Sequence, residues 1–236
     1  MDAAVPWRVR DAALLLALGL GTLLLSLLAM QGFYRLQVAP AAVPPQPPAV
    51  LARAATDLFY LAVLAGVWLL VVRRYDAAWA TVGLRRPPLR TLPCALLLCA
   101  LLAAGSVAII TGLTWALGTL GLPARITPRG DLPAPADPLF VVAVVGSVLL
   151  TPVAGEVFFR GVLYQALRKR TGVVFATLGS AALFTMLHWW PAMAPEFLFL
   201  GIMLAVAFER TRSLYPSMVM HAAYNAAIIL VTLRVV

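Results

Sequence analysis

Long uncharged apolar runs recur along the chain, separated by short polar or proline-rich stretches. Residues 12–30 carry no charge and read as a first membrane span. Residues 51–72 form a second, with Arg53 and Asp57 near its start. Residues 92–122 are uncharged and long enough for a tilted third span with extra turns. Residues 139–167 make a fourth, interrupted by Pro152 and carrying Glu156 and Arg160. Residues 172–190 make a fifth. Residues 197–208 are short for a sixth and borrow Pro195 and Glu196, and residues 214–233 make a seventh. Runs near 20 residues are what a helix needs to cross about 30 Å of hydrocarbon. The stretches 38–48 and 123–138 are rich in proline, which fixes φ and removes a donor, so they read as extended connections. Residues 73–90 read as a polar, arginine-rich loop. The pattern predicts an all-α, polytopic transmembrane bundle of about seven helices. It forms one integral membrane domain over 1–236, with N-terminal spans in 1–90 and a core in 91–236.

Composition narrows the class. Hydrophobic residues make up 63% of the 236, charged residues 11%, and the mean hydropathy is +0.95. A soluble domain carries about 25% charged residues, so there is too little charge here to cover a water-facing surface. Disordered, collagenous and disulfide-scaffold classes fit badly. Cys94 and Cys99 are five residues apart, do not face each other on a helix, and read as small apolar fillers. Arg8 and Arg10 precede an apolar run with no clean small-residue cleavage site, so no cleavable signal peptide is expected.

The net charge of +9 reads as membrane topology, not nucleic-acid binding. With the N-terminus in the cytoplasm, twelve basic residues fall inside: Arg8, Arg10, Arg73, Arg74, Arg85, Arg86, Arg90, Arg168, Lys169, Arg170, Arg210 and Arg212. Five fall outside: Arg35, Arg53, Arg125, Arg129 and Arg234, with Arg160 left in the membrane. This orientation is the one the positive-inside rule selects. Trp189, Trp190 and Pro191 fit an interfacial belt at the outer end of the fifth span. The arginine-heavy, alanine-rich composition suggests a bacterial plasma membrane.

Few strongly polar side chains remain within the later spans. Glu156 and Arg160 are i, i+4 on one helix face, His188 follows Phe184 by four, and Asn225 follows His221 by four. Both histidines of the protein and its one asparagine are in this set. Each has a structural reading: an internally neutral ion pair, a histidine bonded to a neighbouring helix, an asparagine as interhelical glue, a core phenylalanine. Together they read as a buried hydrolytic site, because ionisable groups at membrane depth cost several kcal/mol and persist for function. Pro152, one turn before Glu156, loosens that helix. Counted from the ends of their runs at about 1.5 Å per residue, the depths differ: about 16 Å for Glu156, 24 Å for His188 and 10 Å for His221. A shared pocket requires tilt, a kink or offset helix ends.

These residues carry a family pattern. Thr151-Pro-Val-Ala-Gly-Glu-Val-Phe-Phe-Arg-Gly161 resembles the Glu-Glu-x-x-x-Arg motif of the CAAX protease and bacteriocin-processing (CPBP, or Abi) family. Phe184 to His188 resembles its Phe-x-x-x-His motif, and His221 to Asn225 its His-x-x-x-Asn motif. Ser213-Leu-Tyr-Pro-Ser217 resembles the usual lead-in, and Val82-Gly-Leu-Arg-Arg-Pro87 a segment common after the early spans. The first glutamate of the paired motif is Gly155 here. The resemblance implies an intramembrane endopeptidase fold, and an activity impaired by that glycine.

It also implies roles. Glu156, Arg160, His188, His221 and Asn225 are the catalytic candidates. A glutamate with His188 polarises water, His221 and Asn225 stabilise the tetrahedral intermediate, and Arg160 orients the carboxylate. A zinc ion held by Glu156, His188 and His221 is the competing arrangement, without the compact His-Glu-x-x-His motif; a metal-free glutamate mechanism is equally compatible. The expected partners are membrane lipid and a peptide or protein substrate, with no nucleic acid. Two other functions remain open: a catalytically weakened binding or immunity protein, favoured by Gly155, and a small transporter, against which the first half shows no repeat of the polar motifs.

Overall fold

A computed structural model describes residues 5–37, 49–122, 135–137, 139–188 and 190–234. The proline-rich stretch 38–48, nearly all of 123–138 with Arg125 and Arg129, and Trp189 lie outside the described residues, as does the Arg35 side chain. The long elements are α1 (Val9–Gln37), α2 (Ala49–Val67, extended by a π-helical turn Trp68–Arg73) and α4 (Leu92–Thr119). Between α2 and α4 lies the short α3 (Trp79–Val82), so the arginine-rich loop has structure of its own. A continuous rod follows: α5 (Phe140–Val145), a π segment Gly146–Leu150, α6 (Thr151–Glu156), a π segment Val157–Tyr164, then α7 (Gln165–Met186). The chain closes with α8 (Ala194–Thr211) and α9 (Leu214–Arg234).

Among the described residues six helices are long and apolar enough to cross a membrane by length and composition, and the chain is an integral membrane protein. One of the six, Phe140–Met186, has 47 residues, about 70 Å of helix and twice the hydrocarbon thickness. Gly172 resolves this. Its backbone stands at φ 78°, ψ −177°, a conformation essentially restricted to glycine, and it turns the chain back on itself. Phe159 and Phe184, thirteen residues before and twelve after Gly172, meet edge to face at 5.2 Å between ring centroids. The rod and the second half of α7 are therefore two arms of a hairpin, in line with the separate fourth and fifth spans of the hydropathy pattern.

Outward faces are apolar, as lipid requires: Leu25, Trp115 and Phe175 are each about 70% exposed. The arginine-rich end is tied by polar contacts. Glu209 accepts hydrogen bonds from Tyr164 (2.8 Å), from Arg168 through two nitrogens (2.8 and 2.9 Å) and from Arg212 (2.8 Å). Asp11 opens α1 by accepting the Arg8 backbone N–H (2.7 Å), and also takes the Tyr75 hydroxyl (2.8 Å). Trp7 is fully buried, and its indole N–H donates to the Val162 carbonyl (3.1 Å). Arg168 and Arg212 thus have structural partners at this end of the bundle.

The two peripheral segments that resemble the family meet there. The Leu214 N–H donates to the Gly83 carbonyl (2.9 Å), Ser213 Oγ to the Arg85 carbonyl (2.5 Å), and Arg85 Nε to the Arg212 carbonyl (2.7 Å). Gly83 has φ 115°, and a Cβ there would come within 2.7 Å of the Phe208 ring. The contact fixes where α9 begins.

Candidate functional site

The rod carries the first motif. Glu156 and Arg160 are both fully buried, and Arg160 Nη1 donates to Glu156 Oε1 at 2.7 Å. Arg160 Nη2 donates to the Gly201 carbonyl of α8 (2.8 Å), and the guanidinium lies 5.1 Å from the Phe184 ring centroid. Gly201 permits this approach, since a Cβ on it would meet Ala181 at 2.9 Å. Glu156 Oε1 also accepts from His221 Nδ1 at 3.1 Å. The ion pair is thus one half of a network whose other half is a histidine from α9.

Phe184 is the hub of the rest. Its ring lies 4.3 Å from the His188 ring and 5.7 Å from the His221 ring, centroid to centroid. His188 Nδ1 donates to the Phe184 carbonyl at 2.6 Å, which fixes the tautomer and leaves Nε2 with a free lone pair. His188 is further clamped by Phe197 of α8 at 4.3 Å. The i, i+4 spacing of the second motif therefore both stacks the ring and sets its proton.

Asn225 has a backbone partner with a local cause. The Thr151 N–H bonds the Gly146 carbonyl in the i−5 register. The same register would assign the Ser147 carbonyl to residue 152, but that residue is proline and has no N–H. Asn225 Nδ2 fills the gap, donating to the Ser147 carbonyl at 2.8 Å. Its second amide N–H is left for another acceptor. Pro152 sits between two π segments, Gly146–Leu150 and Val157–Tyr164, so the ladder is irregular on both sides of it.

Glu156, His188 and His221 do converge, and offset helix ends are the reason. Gly161 of the rod lies level with Leu214, the first residue of α9: a Cβ on Gly161 would be 3.5 Å from the Leu214 side chain. The rod then continues eleven residues further to the turn at Gly172. Measured from the Gly161 level, Glu156 is five residues up, His221 seven, and His188 sixteen minus eleven, again five. Each stands about 8–11 Å above that level. Counting each span from its own end overlooks the roughly three extra turns by which the rod extends past the start of α9.

Beside the network lies a cavity of about 510 Å³ whose lining includes Gly155, Phe184, His188, His221 and Asn225. Trp190 lines it too, instead of sitting only in an interfacial belt. A Cβ on Gly155 would reach 3.8 Å from His221 Cε1, an ordinary contact, so a side chain at 155 would point toward His221 from the cavity wall. Glu156, one position on and about 100° round the helix, is turned away into the ion pair. A smaller cleft of about 230 Å³ near Arg85 and Arg212 carries none of the motif residues.

Arg53 does more than the topology count assigns it. It is a buried residue of α2 that lines the cavity. It pairs with Asp57 and donates to Ser147 Oγ (2.7 Å) and Thr151 Oγ1 (3.2 Å). Glu196 is another polar residue that the span pattern underrates, being fully buried near the start of α8. Its position beside Pro195, at the edge of an apolar run, gives it the look of a loop residue.

The zinc arrangement does not fit these residues. Among the described residues no three His, Cys, Asp or Glu side chains gather as metal ligands do. Glu156 Oε1 is already held by a guanidinium, whose charge opposes a second cation.

An integral membrane bundle that encloses a polar chamber among its helices is the class that fold and site define. Residues 137–227, which include all three motifs, match the family described as Type II CAAX prenyl endopeptidase Rce1-like. The match supports the resemblance to the CPBP family, and with it a CAAX-type intramembrane endopeptidase at the family level. No curated protein and no solved structure matches the chain.

Proposed function

We propose that the chain is an intramembrane endopeptidase that hydrolyses peptide bonds near the membrane, with the 510 Å³ cavity as its reaction chamber. The observation that carries this reading is the pinning of both histidines: each Nδ1 is engaged, so each ring presents Nε2. Lipid surrounds the bundle, the N-terminus faces the cytoplasm of a bacterial plasma membrane, and the substrate is a peptide or protein segment. His188 accepts a hydrogen bond from the attacking water and orients it. Glu156 supports a protonated His221, much as a buried carboxylate orients and stabilises an imidazolium. His221 Nε2–H and the second amide N–H of Asn225 then donate to the oxyanion. Arg160 holds Glu156 in place. No step requires a metal ion.

Gly155 lowers the activity. Without a carboxylate at the cavity wall beside His221, proton removal from the water is the step left poorly served. This glycine also supports a second reading, a binding or immunity protein that retains the fold with little hydrolysis.

The test uses purified protein in lipid nanodiscs and a quenched fluorescent prenylated peptide ending in a CAAX tetrapeptide. Cleavage rises in Gly155→Glu and is lost in His188→Ala. Equal cleavage in wild type and both variants refutes the site assignment. No cleavage by wild type or Gly155→Glu favours the binding protein.

A further inference from the structure

Glu196 is the strongest unexplained group in the molecule. It is fully buried in the first turn of α8, and neither carboxylate oxygen has a hydrogen-bond partner among the described residues. It lies beside the hydroxyls of Ser106 on α4 and Tyr224 on α9, and interacts with both without closing a hydrogen bond of good geometry. Four polar atoms from three helices therefore face one another inside an apolar bundle. Unpaired buried polar atoms cost several kcal/mol in hydrocarbon. A converging buried set of this kind is one that a water bridges.

Its neighbours tie it to the cavity. Tyr224 lines the cavity and shares a helix face with His221, three residues earlier. Phe197, next to Glu196, packs on His188. The cavity wall lacks a carboxylate at Gly155, while the buried Glu196 carboxylate stands behind that wall against Tyr224.

We propose that Glu196, acting through Tyr224, is the proton acceptor for this cavity in place of the carboxylate missing at Gly155. The proposal rests on the endopeptidase reading and supplies the step left open there. One O–H bond of the attacking water breaks as its oxygen bonds the scissile carbonyl carbon. That proton passes to the Tyr224 oxygen, while Tyr224 releases its own to Glu196, directly or across one bridging water. When the tetrahedral intermediate collapses, the C–N bond breaks and the proton returns by the same route to the leaving amine. One water is consumed, and Glu196 and Tyr224 end as they began. In this scheme Glu196 is a relay and positioning residue that does not touch substrate.

The experiment compares wild type, Glu196→Gln, Glu196→Asp, Tyr224→Phe, Gly155→Glu and the double variant Gly155→Glu/Glu196→Gln on the same prenylated peptide. Glu196→Gln and Tyr224→Phe lower kcat by about 100-fold, the range of general-base loss, with KM within about twofold. Glu196→Asp retains part of the rate, and the double variant recovers cleavage because a carboxylate again reaches the water. Three outcomes overturn the proposal: wild-type kcat in Glu196→Gln, a loss not restored in the double variant, or wild-type kcat in Tyr224→Phe. The last decides the matter where Glu196→Gln fails to fold. If wild type and Gly155→Glu are both inert, the endopeptidase reading falls and the relay with it. If Glu196→Gln cleaves like wild type, the relay falls alone.

Discussion

Replacing Arg160 by methionine isolates the buried network from any question of turnover. The guanidinium is fully buried, donates to Glu156 Oε1 at 2.7 Å and to the Gly201 carbonyl at 2.8 Å, and lies against Phe184. Removing it leaves the Glu156 carboxylate with His221 Nδ1 as its one hydrogen-bond partner, because Oε2 has none. Breaking a buried ion pair on one side costs about 3–5 kcal/mol, since the remaining charge stays desolvated. At about 2–4 °C per kcal/mol for a chain of this size, the melting temperature falls by about 6–20 °C. Replacing both partners (Glu156→Leu with Arg160→Met) removes the orphaned charge and leaves mainly His221 Nδ1 unpaired, about 1–3 kcal/mol, since the Gly201 carbonyl stays within the α8 ladder. The double variant is therefore more stable than the single one. Thermal unfolding of the three proteins in one detergent, followed by tryptophan fluorescence, gives the comparison. A single variant that melts within about 2 °C of wild type refutes the reasoning, and so does a double variant no better than the single.

Gly172→Ala places a side chain in a backbone conformation that costs about 1–3 kcal/mol, so the variant melts lower than wild type by the same assay; an unchanged midpoint shows that the turn does not depend on glycine. Asn225→Ala removes an oxyanion donor and lowers kcat by about 100- to 1000-fold, in wild type and in Gly155→Glu alike; an unaltered kcat excludes the role given to this amide. Treatment with 1,10-phenanthroline leaves peptide cleavage unchanged, whereas inhibition reversed by added zinc would restore the metal mechanism.

The spans were legible because lipid imposes a simple rule: every crossing needs about 20 apolar residues, and a polar residue inside one stands out. Glu156, Arg160, His188, His221 and Asn225 stood out for that reason, and the structure brings them together. The register between helices was not legible. It depends on Leu214 meeting Gly161 and Gly83, contacts between residues far apart in sequence. The π segments were equally hidden, since nothing local in Gly146–Leu150 or Val157–Tyr164 announces an i−5 pattern. Arg53 and Glu196 were read as edge residues because they sit near proline-rich ends, although each is buried by helices from elsewhere in the chain. The burial of Trp7 likewise follows from a partner 155 residues away.

Pro152 has a consequence for how the bundle assembles. A helix with every backbone group satisfied can slide along its neighbour at little cost, but this rod exposes one carbonyl that only an outside donor can quench. A one-turn slip of α9, about 5.4 Å, would strand that carbonyl in hydrocarbon. The imino acid therefore serves as a docking mark for the last helix. An imperfection in the main chain thus helps to hold His221 at the level of Glu156.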